Sequence, residues 1–180
     1  MKKLFFFLLP LLIFACKGVE QHRASIEELS GNWDNTTKAI TDFKAAVSAD
    51  MTGYTQKLAS MQPDPAVVMT PEQTTAWEAS QKTVTDALGA YGPLMQTIND
   101  FEATWTAKSA EVTALKDGLT AGKIEGDVNA KITELNAMIA TANENLNSWK
   151  ANYASIKGSV EAAMAATIKS PTDPSATLKK

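Results

Sequence analysis

Along three long stretches of this chain, apolar residues recur in steps of three and four, and that spacing admits one kind of secondary structure. The first stretch runs through Ile26, Leu29, Trp33, Thr36, Ile40, Phe43, Val47, Met51, Tyr54, Leu58 and Met61. The second presents Trp77, Val84, Leu88, Tyr91, Met95, Ile98, Phe101, Trp105, Val112 and Leu115. The third, from Val128 through Ile132, Leu135, Ile139, Ala142, Leu146, Trp149, Tyr153 and Ile156 to Val160, alternates steps of four and three throughout. A strand buries every second residue, whereas a helix brings positions three and four apart onto one face. Each stretch therefore predicts a long helix with one narrow apolar stripe, the heptad pattern of helices that pack against one another.

Proline and glycine mark where these helices end. Pro63 and Pro65 separate the first from the second, because neither can continue a helix and the residue before each avoids the helical region. Helix starts are predicted at Ser25, with Glu28 completing a capping box; at Thr70, with Pro71 and Gln73; and at Asp127. Gly118 is the expected stop of the second helix. Pro93 lies inside that helix, in "GAYGP", where it removes one backbone hydrogen bond at a cost of about 3 kcal/mol. Since the seam continues on both sides, the expectation is a kink near Gly92 and Pro93. The fold class read from the sequence is all-α: an elongated antiparallel three-helix bundle, coiled-coil-like, with helices at about 25–61, 71–117 and 127–169. Residues 16–24 read as a tether, and 170–180, with Pro171, Pro174 and small polar residues, as a disordered tail.

The chain opens "MKKLFFFLLPLLIFACKGVE". Its apolar run from Leu4 to Ala15 is too short to cross a bilayer, which takes about 20 residues. Lys2 and Lys3, a short apolar core and then the small Ala15 make the three-part pattern of a secretory signal. The junction "IFAC", with Ile13, Phe14, Ala15 and Cys16, resembles the lipobox of bacterial lipoproteins. That resemblance implies cleavage before Cys16, whose thiol takes a diacylglyceryl group and whose amine can take a further acyl chain such as palmitate. It would also account for the only cysteine in the chain, since an unpaired thiol in an oxidising export compartment is a liability. Two or more acyl chains anchor stably where one is marginal.

Removal of residues 1–15 takes two of the 17 basic residues and none of the 20 acidic ones, changing the formal charge from −3 to −5. An acidic body argues against nucleic acid as a partner and against adhesion to anionic lipid.

The residues offer little chemistry. Trp33, Trp77, Trp105 and Trp149 all fall on the seams and read as core. His22, the only histidine, falls in the tether, so neither a histidine-based triad nor a histidine metal site can be assembled. "GLTAGK", Gly118 to Lys123, is one residue short of a phosphate loop and is followed by Ile124 in place of Ser or Thr. The same loop read as an EF-hand from Asp117 would place Leu119, Ala121 and Val128 where oxygen ligands are needed. Glu27 and Glu28 are adjacent and diverge on a helix.

No catalytic, cofactor or metal residue is singled out, and an enzyme is not expected. The expectation is a membrane-anchored lipoprotein of the cell envelope, held by acylated Cys16, that acts as a spacer or docking surface for another envelope component. Lys17, where inner-membrane lipoproteins of some bacteria carry Asp, points to the outer membrane. Two further readings are a peptidoglycan tether through the C-terminal Lys180, which resembles Braun-type murein lipoproteins in that one feature, and a carrier of apolar ligands hinged at Gly89, Gly92 and Pro93.

Overall fold

The computed structural model describes residues 19–61 and 68–167. Cys16, the connection carrying Pro63 and Pro65, and the tail with Lys180 lie outside the described residues. Among the described residues the regular structure is helical, with no strand, in α1 (Arg23–Ser60), α2 (Pro71–Gly89), α3 (Tyr91–Ala121) and α4 (Val128–Ala166). Ala90 alone separates α2 from α3, so they form one interrupted helix, and the long helical stretches among the described residues number three. No helix among the described residues is long and apolar enough to cross a membrane. The chain divides into two compact units. Among the described residues, unit 1 holds 19–41 and 100–146, and unit 2 holds 42–61, 68–99 and 147–167.

In unit 1 the seam residues Ile26, Leu29, Trp33 and Ile40 of α1 are buried, as are Trp105, Val112 and Leu115 of α3 and Leu135, Ala142 and Leu146 of α4. Burial of a large apolar side chain contributes about 1.5–3 kcal/mol, which is why the 3–4 spacing prevails over the several glycines. α1 begins at Arg23, so Ser25 sits within the first turn instead of capping it. The start is fixed otherwise: His22 accepts from the Ile26 amide, and the Arg23 guanidinium reaches Glu20 and Glu27. Val19 and Glu20 are themselves helical and Val19 is buried, so this part of the expected tether is packed chain.

The stop of α3 also differs from expectation. The helix continues through Gly118 to Ala121 and ends at Gly122, whose φ of 70° is the left-handed conformation glycine adopts without strain. The Gly122 and Lys123 amides donate to the Leu119 and Gly118 carbonyls, closing a Schellman cap. Gly118 has another role. A Cβ there would lie 2.8 Å from both the Ile124 side chain and the Lys123 carbonyl, so glycine lets the returning loop approach. Asp127 caps α4 as anticipated, its carboxylate accepting from the Ala130 amide.

Unit 2 buries Phe43 and Val47 of α1, Val84 of α2, Tyr91, Leu94 and Ile98 of α3, and Trp149, Ile156, Val160 and Met164 of α4. α2 starts with the full capping box: Thr70 accepts from the Gln73 amide, the Gln73 side chain accepts from the Thr70 amide, and Pro71 occupies the first turn. The interruption falls at Ala90, one turn before Pro93, because a proline acts on the residue four positions earlier. Pro93 has no N–H to offer the Gly89 carbonyl, and its ring crowds that carbonyl. Ala90 stays in the right-handed helical region, at φ −66° and ψ −18°, so the chain bends without forming a loop.

Candidate functional site

Both residues singled out by the sequence, Cys16 for lipidation and Lys180 as a possible tether, lie outside the described residues. Of the four tryptophans, Trp33, Trp105 and Trp149 are buried and Trp77 is half-buried. Among the described residues, the side-chain hydrogen bonds and ion pairs that join different helices collect at one place in each unit.

In unit 2 it gathers between α1 and α4. Asp50 and Tyr54 are four residues apart on α1; Tyr153, Lys157 and Glu161 follow at the same interval on α4. The Asp50 carboxylate accepts from the Tyr153 hydroxyl and, at 2.7 Å, from the Lys157 ammonium. The Tyr54 hydroxyl donates to Glu161 at 2.7 Å. Lys157 and then Tyr153 hold the Asp50 carboxyl below its usual range. Burial first, and Asp50 second, push the Tyr153 phenol up to about 12. Burial and then Glu161 do the same to Tyr54, also to about 12. The hydrogen bond to Asp50 raises Lys157. At neutral pH the cluster therefore holds an ionised carboxylate, an ammonium and neutral phenols, and it ties α1 to α4.

Behind it stands an aromatic group. Phe43 lies parallel to Trp149 at 6.4 Å and edge-on to Tyr153 at 5.7 Å, and Tyr91 meets Tyr153 at 6.3 Å. Tyr91 is fully buried, and its hydroxyl finds no hydrogen-bond partner among the described residues.

Unit 1 solves the same problem differently. Trp33 and Trp105 stack face to face, centroids 3.7 Å apart and planes within 11°. The Trp33 indole N–H donates to the Ser109 hydroxyl, and Trp105 donates to the Thr37 hydroxyl. Ser109 in turn donates to the Trp105 carbonyl and Thr37 to the Trp33 carbonyl. Each tryptophan thus supports the hydroxyl that satisfies the other. Beside the clasp, Lys108 bridges Glu111 on its own helix and Glu134 on α4, which push it up to about 12.

A shallow recess of about 450 Å³ in unit 1 is lined by Val19, His22, Lys123, Ile124, Asp127 and Asn129. Among the described residues no group of three or more His, Cys, Asp or Glu side chains could hold a metal ion. Sequence reasoning missed both clusters, although each had a signal. Tryptophan followed four residues later by a hydroxyl occurs in "WDNTT" and again in "WTAKS". In unit 2, Tyr54 and Tyr153 stand on the seams, and Asp50, Lys157 and Glu161 stand beside them at helical intervals.

No protein-family model, curated protein or solved structure matches the chain.

Proposed function

We propose that this protein is a lipid-anchored, non-enzymatic helical protein of the bacterial cell envelope, fixed by acylation of Cys16 and serving as a spacer or docking surface for another envelope component. The observation that carries the reading is "IFAC" after a charged and apolar leader, with Cys16 the only cysteine in the chain. The acylated cysteine would supply the membrane contact, which the acidic body, at −3 for the whole chain, is poorly suited to make. Lys17 favours the outer membrane.

We further propose that the helices pack as an antiparallel three-helix bundle. Two sets of pairings support it. In unit 1, rising positions 33 and 37 of α1 meet falling positions 109 and 105 of α3. In unit 2, positions 50 and 54 of α1 meet 157 and 161 of α4 in rising order. Buried Val19 supports a membrane-proximal place for the α3–α4 loop, because it shares the recess with Gly122, Lys123 and Ile124 and Cys16 is three residues, at most about 10 Å of extended chain, away.

A clickable fatty acid fed to cells producing the full chain tests the anchor: the protein should incorporate it, and equal labelling of Cys16→Ser would refute the proposal. Pull-down of the acylated protein, with mass spectrometry, then separates docking from tethering. A co-purifying envelope protein supports docking. A peptidoglycan fragment joined through Lys180 would replace it with the tether, and deletion of Lys179 and Lys180 should abolish such a fraction.

A further inference from the structure

Four features of unit 2 converge on α2. Of its 19 residues only Val84 is buried, with Trp77 and Leu88 half-buried on the same face. Over a comparable span, α4 contributes Trp149, Ile156, Val160, Ala163 and Met164 to the core of this unit. Among the described residues, every side-chain hydrogen bond and ion pair of α2 closes on α2 or its cap. Examples are Ser80 to the Trp77 carbonyl, Thr85 to the Gln81 carbonyl and Lys82 to Asp86. The ties from Asp50 and Tyr54 to α4 have no counterpart on α2 among the described residues.

The third feature is buried polarity. Gln81 lies on the inward face between Trp77 and Val84, where its side-chain nitrogen is shut from solvent and finds no acceptor among the described residues. Just past the junction, the Tyr91 hydroxyl is in the same condition. A buried donor without an acceptor forfeits its hydration and regains it when the cover lifts, so the closed position of α2 is stabilised less than its apolar contacts alone would give. The fourth is the junction. Ala90 is a single right-handed residue whose amide bonds back to Ala87 and Leu88, and Pro93 denies the Gly89 carbonyl its helical partner. A Cβ placed on Gly89 or Gly92 would meet nothing within 4 Å, so neither flank of the junction is wedged.

We propose that α2 is a hinged flap: it swings about Ala90 and uncovers its Trp77–Val84–Leu88 face, while the α1–α4 tie of unit 2 stays closed. Few buried contacts and an unmade backbone hydrogen bond at one end place α2 at the low end of local stability. The flap gives unit 2 a concealed apolar face, independent of whether Cys16 anchors the chain.

Amide hydrogen exchange of the full chain in detergent, read by mass spectrometry, tests this. Protected amides of α2 between residues 77 and 88 should exchange at least about tenfold faster than those of α4 between 149 and 160. Equal rates would mean that unit 2 opens as one body and would overturn the flap. Pro93→Ala returns an N–H to the Gly89 carbonyl, so it should slow α2 exchange several-fold relative to α4; an unchanged ratio would overturn the hinge. Gln81→Leu removes the buried amide and should also slow α2. Faster exchange in that variant would show that the amide is satisfied in the closed state and would remove the reason for opening.

Discussion

Both units bury aromatic side chains that carry a polar group, and they differ in what becomes of it. In unit 1 the two indole N–H groups of the Trp33–Trp105 stack are satisfied by Ser109 and Thr37, and each hydroxyl donates to the backbone carbonyl of the tryptophan four residues earlier on its own helix. In unit 2 the phenols of Tyr54 and Tyr153 reach carboxylates, while the Tyr91 hydroxyl and the Gln81 amide nitrogen reach no partner among the described residues. Aromatic area contributes to both cores. The net return depends on the polar end, because a buried donor left unmade costs about 1–3 kcal/mol, more than the roughly 0.5–1.5 kcal/mol that a neutral hydrogen bond contributes. Unit 1 should therefore be rigid around its clasp, and unit 2 should give way first at α2.

Truncation of the buried aromatics should produce the largest effects. Trp105→Ala and Trp149→Ala are each expected to cost about 3–5 kcal/mol, measured by urea unfolding followed by circular dichroism. Trp105→Ala should be the worse of the two, since it removes the stack as well as a core side chain. A loss below about 1 kcal/mol for Trp105→Ala would mean that the clasp is a surface contact. Next comes Thr37→Val, which keeps the shape of the side chain but leaves the Trp105 N–H without its acceptor, at about 1–3 kcal/mol. Ser109→Ala should act alike on Trp33. A double variant close to additive would indicate that the two hydroxyls act independently and not as one circuit.

The tie in unit 2 should respond to pH. Asp50 is held below its ordinary carboxyl value of 3.8, so its contribution is complete above about pH 4 and fades as pH falls through the folded value. Tyr153 is raised from 10.0 to about 12, so its contribution is complete below pH 10 and is lost as pH climbs toward 12. Asp50→Asn should lower stability at neutral pH by about 1 kcal/mol and flatten the acid limb. An unchanged acid limb would show that another carboxylate governs it.

Much of this fold was legible in the sequence, because the 3–4 spacing of Ile26 through Val47 and of Leu135 through Val160 records which face is buried, and those residues are buried or half-buried. The Thr70–Pro71–Gln73 start was legible for the same reason: a cap is local chemistry. Gly118 was misread because a glycine near a helix end also permits close approach, and only the position of Ile124 distinguishes the two uses. The clusters escaped because polar residues beside a seam gain meaning only from the partner across the interface. Lys157 and Asp50, for instance, are 107 residues apart in sequence. Leu94 was missed beside Tyr91, since the bend at Ala90 shifts which residues of α3 turn inward.

The contrast between the units can be tested by removing one hydroxyl from each. Tyr91→Phe deletes the buried hydroxyl of unit 2 that has no partner among the described residues, and Thr37→Val deletes the one that closes the circuit in unit 1. Measured side by side by chemical unfolding at neutral pH, Tyr91→Phe should leave stability unchanged or raise it by up to about 1 kcal/mol, while Thr37→Val should lower it by about 1–3 kcal/mol. A loss of more than about 1 kcal/mol for Tyr91→Phe would show that this hydroxyl is satisfied in solution, and the two units would no longer differ in the way described.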